Sequence, residues 1–314
     1  MAIGKDRRIV IVTRNTRVDE LIVRHNTLAQ ARFVIESQGL AFDDYLTEDQ
    51  VFKMQLGQLK GVLNQIGKLH HIDRGLLPGY LFRADDVVLV LVLGQDGLVA
   101  NTLKYLNGQP LIAINPDPAR YDGALLPFVT RDAASIVHEV LNGGRKTQAI
   151  TFGEVQLNDG QRLLAVNDFF IGTKGHASAR YEISIDGKRE KQSSSGIIIS
   201  TGLGSSGWLK SVMAGAARIA ESMGASMPKS TLAEGMRWDS DFLIYSVREP
   251  FPSANTGTEL TFGRVTEKQT LEINSTMPTD GVIFSDGMEL DYLEFNSEQI
   301  ARIGLSATKG YLVL

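Results

Sequence analysis

A short, wholly apolar run constrains the fold of this chain more than any other feature. Residues 87–93 are all Val or Leu, and the run ends in the turn Gly94-Gln95-Asp96-Gly97. It is too short to span a membrane, and its lack of polar alternation is typical of a parallel strand covered on both faces. We therefore predict a buried strand that carries Asp96 to the carboxyl edge of a sheet, where open α/β folds bind their ligands.

Two interpretations of this turn are open from these residues alone. Glycine at positions 94 and 97 lets the backbone bend sharply and approach a ligand, because no Cβ stands in the way. The alternative is an ordinary connection between a strand and a helix, with Asp96 as a solvated helix cap. Motifs elsewhere in the chain are needed to distinguish a ligand site from a helix cap.

Composition narrows the class of protein. A chain of 314 residues exceeds a comfortable single core, so we expect two domains, and 43% hydrophobic with 22% charged residues is typical of a soluble globular protein. A net charge of -4 gives no electrostatic footprint for nucleic acid or an anionic membrane. The chain has no cysteine, which excludes disulfides, thiolate metal sites and a cysteine nucleophile. Because the amino terminus runs directly into a predicted strand, we expect a cytoplasmic protein.

The first part of the chain alternates strand and helix patterns. Strands are predicted at 8–13, 87–93 and 111–114, and helices at 18–37, 47–66 (with Thr47 as N-cap), 98–106 and 132–141. This alternation predicts a parallel sheet with flanking helices, a Rossmann-like α/β domain that we assign to residues 1–145.

From residue 146 onward the pattern changes to short strand-like runs separated by Asn-Asp-Gly and Asp-Gly turns. Strands are predicted at 148–157, 163–171, 180–185, 196–200, 242–247, 259–262, 270–273, 282–284 and 292–295, with one strong helix at 208–223. We predict a β-sandwich-like domain over residues 146–298. Residues 299–314 form a last segment that could return to the first domain.

Two motifs lie in this second region. The stretch 202–207, Gly-Leu-Gly-Ser-Ser-Gly, matches a dinucleotide-binding pattern, but hairpin-like strands precede it. Three interpretations stay open: a ligand-binding helix start, a simple capping turn, or a true Rossmann site. Asn167-Asp168 lies among apolar residues, so it needs strong partners or a ligand, unless it marks a turn or bulge on an edge strand.

His70-His71 in the first region has no third metal ligand at useful spacing, so structural or exposed histidines are favoured over zinc.

Taken in order, these pieces resemble the NAD kinase family, whose members phosphorylate the adenosine 2'-hydroxyl of NAD with ATP or, in some bacteria, polyphosphate. The family's glycine-glycine-aspartate-glycine turn is similar to residues 94–97, its asparagine-acid pair to Asn167-Asp168, and its serine- and threonine-rich glycine loop to residues 200–208. Residues 115–123 and 190–196 resemble the mitochondrial branch of the family more than the usual bacterial enzymes. The resemblance covers about residues 85–290.

The resemblance implies an α/β domain joined to a β-rich domain, with ATP and NAD as substrates and Mg²⁺ at the phosphates. A homo-oligomer is expected because most soluble oligomers are symmetric, and the net charge predicts no nucleic-acid or membrane partner. It implies that Asp96 is the catalytic base toward the ribose 2'-hydroxyl, and that the indole of Trp208 stacks on adenine. The nucleotide-binding residues it implies are Gly94, Gln95, Gly97, Asn115, Asn167, Asp168, Thr201, Gly204, Ser206, Gly207, Trp208 and Ser211. No protein ligand is assigned to the metal.

Three residues depart from the family pattern. Gln95 replaces the second glycine of the turn, Leu98 stands where threonine is usual, and Ser195 stands where most members have aspartate. The first two changes affect phosphoryl transfer more than nucleotide binding. Two alternatives to an NAD kinase follow: a catalytically degenerate nucleotide-binding protein, and a kinase of another hydroxylated substrate such as a sugar or a lipid.

Overall fold

The computed structural model describes residues 8–225, 235–288 and 291–314. The chain divides into two compact units. One unit extends to Thr147 and also includes Tyr311–Leu314, and the other is Gln148–Gly310. Among the described residues, no helix combines the length and the apolar character needed to cross a membrane.

The first unit is a parallel sheet with helices. Its strands are β1 (Arg8–Thr13), β2 (Lys68–Asp73), β3 (Val87–Leu93), β4 (Pro110–Asn115) and β5 (Phe128–Val129), and its helices are α1 (Arg17–His25), α2 (Leu28–Ser37), α3 (Phe42–Leu63), α4 (Asp96–Leu103) and α5 (Ala133–Leu141). Strand β3 lies between β1 and β4, β2 is next to β1, β5 pairs with β4, and all these pairs are parallel. From Leu89 to Leu93 strand β3 is fully buried, as its apolar run predicts.

The second unit is a sandwich of two antiparallel layers. Its strands are β6 (Thr147–Leu157), β7 (Arg162–Ala165), β8 (Asp168–Thr173), β9 (Ala179–Ile185), β10 (Lys188–Ser194), β11 (Ile197–Ser200), β12 (Phe242–Val247), β13 (Phe262–Thr266), β14 (Leu271–Ser275), β15 (Gly281–Ser285), β16 (Tyr292–Glu294) and β17 (Ile300–Val313), and its helix is α6 (Trp208–Ser222). One layer has the order β10-β9-β14-β17, with β6 beside β17 and β7 beside β6, and the other has the order β13-β12-β11-β8-β15-β16. Apolar side chains from both layers, such as Ile183, Ile199 and Tyr245, form its core.

The last strand contributes to both units along its length. Ile300–Ile303 pair with β14 in the sandwich, whereas Tyr311 and Leu312 pair in parallel with the start of β4. Leu312 and Val313 are fully buried. The parallel sheet of the first unit therefore includes residues from the carboxyl-terminal stretch of the sequence.

The predicted fold class, an α/β unit followed by a β-sandwich-like unit, is confirmed. Several element boundaries were wrong. The helix predicted at 18–37 is two helices, because Asn26 adopts a left-handed conformation (φ 66°) and Thr27 caps α2. The second predicted helix begins at Phe42, and Thr47 lies inside it, where its hydroxyl donates to the Asp43 carbonyl.

Burial of the sandwich core predicts a large effect of truncating Ile199, which is 1% exposed. Ile199→Ala should lower the free energy of unfolding by about 2–5 kcal/mol, because it removes buried methyl groups and leaves a cavity. The control Ile219→Ala, at a side chain 65% exposed on α6, should change it by less than about 0.5 kcal/mol. Urea denaturation followed by tryptophan fluorescence measures both, since Trp208 and Trp238 belong to this unit. Equal effects of the two variants would contradict this assignment of the core.

Candidate functional site

Asp96 lies where the sequence predicted, at the carboxyl end of β3. It is the first residue of α4, and Gln95 is the N-cap. Because both faces of β3 are apolar and covered, the strand lies inside the sheet. Asp96, which follows its last residue, therefore lies at the carboxyl edge of the sheet. The helix start has no side-chain cap, so its first backbone N–H groups donate no hydrogen bond to the Gln95 side chain.

Both carboxylate oxygens of Asp96 accept backbone hydrogen bonds. Oδ2 accepts from the N–H of Ala124 at 3.1 Å, and Oδ1 accepts from the N–H of Leu125 at 2.9 Å. These amides belong to the segment 116–127, which follows β4 and which we call the strap. The strap therefore fixes the orientation of the Asp96 carboxylate.

Asn115, a predicted site residue, holds the strap in place. Its Nδ2 donates to the Tyr121 carbonyl at 2.9 Å, and its Oδ1 accepts from the N–H of Asp117 at 3.0 Å. Gly123 has φ +60°, and a Cβ there would lie 2.8 Å from Asn115 Nδ2. Asn115 thus acts on Asp96 through the strap backbone, and glycine at 123 is required by both conformation and space.

A pocket of about 410 Å³, which includes space open to solvent, lies beside the turn. Its lining residues are Arg14, Asn15, Thr16, Glu48, Phe52, Gly94, Gln95, Pro116, Asp117 and Tyr121. They come from the residues after β1, from α3, from the turn after β3 and from the strap. Sequence reasoning included Gly94 and Gln95 but missed Arg14, Glu48 and Tyr121; the predicted end of β1 was the signal that could have identified Arg14.

The residues next to Asp96 differ in burial and in the space around them. Leu98 is 3% exposed, so it is part of the core. A Cβ on Gly94 would lie 2.8 Å from Leu98 Cδ2, so a larger residue at 94 would require the Leu98 side chain to shift. Gly97 is exposed, and a Cβ there would meet open space. No contact within this unit therefore requires glycine at 97, and its predicted role in letting a ligand approach the turn stays a prediction.

The Asn167-Asp168 pair marks a break between strands in the second unit. The predicted strand 163–171 is interrupted because the N–H groups of Val166 and Asn167 donate to the Asp286 carboxylate, the latter at 2.6 Å. Asp168 then begins β8. The turn interpretation of this pair is correct for Asn167, and Asp286 is a partner that the sequence analysis did not predict.

Asp168 is partly buried, and one of its carboxylate oxygens is shielded from solvent without a hydrogen bond. Its Oδ1 has no hydrogen-bond partner among the described residues. Burial raises the pKa of Asp168 to about 7, a hydrogen bond with Ser200 acts in the opposite direction, and the nearby Asp286 carboxylate raises it further. A carboxyl group of this kind can be neutral near physiological pH and can donate a hydrogen bond.

The glycine-rich loop packs directly on this pair. The N–H of Thr201 donates to the Asn167 carbonyl at 2.9 Å, and the Thr201 hydroxyl donates to the Val166 carbonyl at 2.6 Å. A Cβ on Gly204 would overlap the Asn167 carbonyl and lie 2.8 Å from Asp168 Oδ1. The structure thus brings together Asn167, Asp168, Thr201 and Gly204 in one contiguous cluster.

The other predicted residues of the loop lie at the surface. Ser206, Gly207, Trp208 and Ser211 are exposed at or before the start of α6. The strand before this loop, β11, is antiparallel to both neighbours, so the interpretation as a Rossmann βαβ site is wrong. The Trp208 ring stacks on Phe170 with centroids 5.8 Å apart, and the Arg248 guanidinium lies 5.6 Å from it. Adenine stacking on this indole stays a prediction.

The two histidines singled out in the sequence lie on β2. His71 is hydrogen-bonded to the Thr13 hydroxyl at 2.9 Å and to the Lys60 ammonium at 3.0 Å, and burial lowers its pKa. Within residues 8–225, 235–288 and 291–314, no group of three His, Asp or Glu side chains is placed to hold a metal ion.

The fold is shared with two solved nucleotide kinases. The chain is similar to an NAD kinase from Archaeoglobus fulgidus in complex with ATP, with a TM-score of 0.57, 13% identity, and coverage of 98% of this chain and 93% of that one. It is also similar to yeast NADH kinase complexed with NADH, with a TM-score of 0.56, 15% identity, and coverage of 99% and 84%. No family model and no curated protein sequence matches the chain. The protein therefore has the two-domain fold of NAD kinases.

Close packing of the loop predicts opposite effects at two glycines. Gly204→Ala should lower the free energy of unfolding by about 1–3 kcal/mol, because the added methyl group overlaps the Asn167 carbonyl. Gly215→Ala, at an open position inside α6, should raise it by about 0.5–1 kcal/mol, since alanine favours helix. Urea denaturation measures both changes. A neutral Gly204→Ala variant would show that the loop does not pack on the Asn167-Asp168 pair.

The raised pKa of Asp168 predicts a pH-dependent stability. Between about pH 4 and about pH 7 the unfolded carboxyl loses its proton while the folded one keeps it, so its contribution to stability is lost as pH rises through this window. Asp168→Asn is neutral at every pH, and its unfolding free energy should lack this fall. Urea denaturation of both proteins from pH 4 to pH 8 tests the difference. A constant difference across the range would mean that Asp168 is ionised in the folded protein.

Proposed function

We propose that the protein is an NAD kinase-like phosphotransferase that moves the γ-phosphoryl group of ATP to the adenosine 2'-hydroxyl of NAD. The observation that carries this proposal is the placement of Asp96 at the start of α4, beside a pocket, in a fold shared with two nucleotide kinases. Phosphoryl transfer needs little covalent chemistry from the protein, so it requires mainly a positioned carboxylate and donors for the phosphates.

In this proposal Asp96 acts as the base toward the substrate hydroxyl. The 2'-oxygen attacks the γ-phosphorus, the bond to the bridging oxygen breaks, ADP leaves with that electron pair, and the hydroxyl proton passes to Asp96. The amides of Ala124 and Leu125 occupy one acceptor position on each carboxylate oxygen. A carboxylate has about four such positions, so the remaining ones are left for the hydroxyl. The strap then serves to orient the base.

The start of α4 supplies a second requirement. Its first N–H groups and the positive end of its dipole favour a phosphate oxygen, and no side chain caps them. Magnesium would neutralise charge on the transferring phosphates when it is bound, and it would arrive mainly coordinated by the nucleotide.

The second unit would hold NAD through the cluster of Asn167, Asp168, Thr201 and Gly204. A hydrogen bond from a ligand to Asp168 Oδ1 would contribute to binding, because this oxygen is shielded from solvent and has no partner among the described residues. Use of NAD rather than NADH, similarity to the mitochondrial branch, a homo-oligomer and a cytoplasmic location stay predictions.

A second candidate function is nucleotide binding without turnover. It is favoured by one observation, that both oxygens of Asp96 are already engaged by the strap. If the strap does not leave room for a ribose hydroxyl, the carboxylate is a structural anchor. This version requires NAD binding with no formation of NADP.

Substitution of the base separates the two candidates. With NAD, ATP and Mg²⁺, the wild-type protein should form NADP, and Asp96→Asn should lower kcat by about a hundredfold to ten-thousandfold, because general base catalysis is lost. Asp85→Asn, an exposed carboxylate just before the opposite end of β3, is the matched control and should retain full activity. NADP is measured enzymatically, and calorimetry measures NAD binding.

The kinase and the non-catalytic nucleotide-binding protein are distinguished by whether bound NAD is converted to NADP. NAD binding by calorimetry without NADP formation in wild type would overturn the kinase proposal and favour the non-catalytic protein. Equal activity of wild type and Asp96→Asn would remove Asp96 from the mechanism.

A further inference from the structure

The strap that orients Asp96 is itself tied to helix α3. Arg120 and Tyr121 are consecutive strap residues, and each donates to a carboxylate of this helix. The acceptors, Asp44 and Glu48, are four residues apart, so they lie on the same face of α3. One face of the helix therefore holds the strap at two adjacent residues.

The contact between Arg120 and Asp44 is bidentate. Arg120 Nη1 donates to Asp44 Oδ2 at 3.0 Å, and Nη2 donates to Oδ1 at 2.6 Å. Hydrogen bonds from Arg120 lower the pKa of Asp44 to about 2, so this carboxylate is ionised at every pH at which a kinase would be assayed. The forked geometry fixes the direction of the guanidinium as well as its distance from the helix.

Arg17 of α1 joins the two contacts into one network. Its guanidinium pairs with Glu48, and its Nη2 also donates to Asp44 Oδ2 at 3.2 Å. The Tyr121 hydroxyl donates to Glu48 Oε1 at 2.7 Å. An isolated ion pair at a surface contributes little, but a bidentate pair inside a network of charges is the exception. The Glu48 side chain is only 13% exposed, which limits screening by solvent at that end of the network.

Only a short stretch of backbone separates this network from the carboxylate of Asp96. Two residues lie between Tyr121 and Ala124, whose N–H is the first of the two amides that bind Asp96. Gly123 within this stretch has a left-handed conformation, and it packs closely against the Asn115 side chain. The stretch therefore has little freedom to absorb a shift of Tyr121, and such a shift would reach the amides.

We propose that the two α3 carboxylates, Asp44 and Glu48, are positioning residues for Asp96. They hold the strap, and the strap holds the Asp96 carboxylate in the orientation in which it accepts the proton of the substrate hydroxyl. This inference rests on the proposed function for the role of Asp96 as the base. Helices α1 and α3 both precede the stretch 85–290 that resembles the NAD kinase family, so the resemblance does not imply this support.

Asp44→Asn tests the positioning role, because neither Asp44 nor Arg120 lines the pocket beside the turn. It should lower kcat by about threefold to thirtyfold, since loss of the bidentate contact misplaces the base, and leave KM for NAD and for ATP within about twofold. Asp43→Asn is the matched control: this carboxylate is one residue away on the same helix but pairs with Arg32, and its loss should leave kcat unchanged. Unfolding midpoints equal to that of wild type show that each variant is folded.

A double-mutant cycle shows whether Asp44 acts through the strap. Arg120→Gln should lower kcat to a similar extent, and the double variant should be no slower than the slower single variant, because both changes break the same contact. Arg120→Lys keeps the charge without the fork, and its kcat should lie between those of wild type and Arg120→Gln. Losses of kcat that multiply in the double variant would show two independent effects and overturn the inference.

Hydrogen exchange followed by mass spectrometry tests the hold on the strap without turnover. In Asp44→Asn, peptides that cover residues 116–127 should exchange at least about threefold faster than in wild type, because the amides bound to Asp96 open more often. In Asp43→Asn the same peptides should exchange at the wild-type rate.

These measurements separate failure of the inference from failure of the proposed function. NADP formation with wild-type kcat in Asp44→Asn, or equal exchange of the strap in Asp44→Asn and Asp43→Asn, would overturn the inference and leave the function intact. Faster exchange in Asp44→Asn alone, in a protein that makes no NADP, would support the hold on the strap and reject the NAD reaction. A raised KM with unchanged kcat in Asp44→Asn would assign this residue to substrate binding and overturn the positioning role.

Discussion

Burial of β3 on both faces is the constraint on which the rest of the first unit depends. A strand without polar alternation has to lie inside a sheet with helices or loops over both surfaces. Its neighbours β1 and β4 are then parallel to it, so the residues that follow all three strands meet at one edge. Arg14, the Gly94–Asp96 turn and Asn115 come from those three ends. The position of the proposed site at this edge therefore follows from the buried position of β3 inside the parallel sheet.

The two aspartates singled out in the sequence have opposite environments. Asp96 has an amide donor on each oxygen, which fixes the orientation of its carboxylate. Asp168 is partly buried, its Oδ1 has no hydrogen-bond partner among the described residues, and desolvation raises its pKa. In the proposed reaction the first accepts a proton from a substrate hydroxyl. The second can donate a hydrogen bond when it is protonated and can only accept when it is ionised. The two aspartates therefore differ in the hydrogen bonds that they can offer a ligand.

The fold class and the position of Asp96 were predictable because both depend on local apolar patterns. The polar strands were not. β2 (Lys-Leu-His-His-Ile-Asp) has one buried residue, Ile72, and β10 is rich in charge, so neither has the period that predicts a strand. The strand expected at 259–262 begins at Phe262 because the N–H groups of Glu259 and Leu260 donate to the Glu190 carboxylate. Such contacts join residues far apart in sequence, and no local pattern contains them.

The same limit applies to the site. Asn167-Asp168 and the glycine loop were identifiable as motifs, but the Asp286 carboxylate that interrupts the strand before them is more than a hundred residues away along the sequence. From the sequence, Gln95 was interpreted as narrowing the approach of phosphate oxygens, with an amide that could also donate to them. Its hydrogen bond to Arg14 gives the side chain a direction, which the sequence does not contain.

The pairing of Tyr311 and Leu312 with β4 has a consequence for synthesis of the protein. The second unit is continuous in sequence, whereas the first needs residues 311–314 to complete its sheet. During translation the strand edge of β4 stays without this partner until those residues have emerged, and an unpaired edge of a hydrophobic sheet is prone to association with other chains. The sandwich also needs β17, through its pairing with β14, so both units complete their sheets only when this one strand has been made.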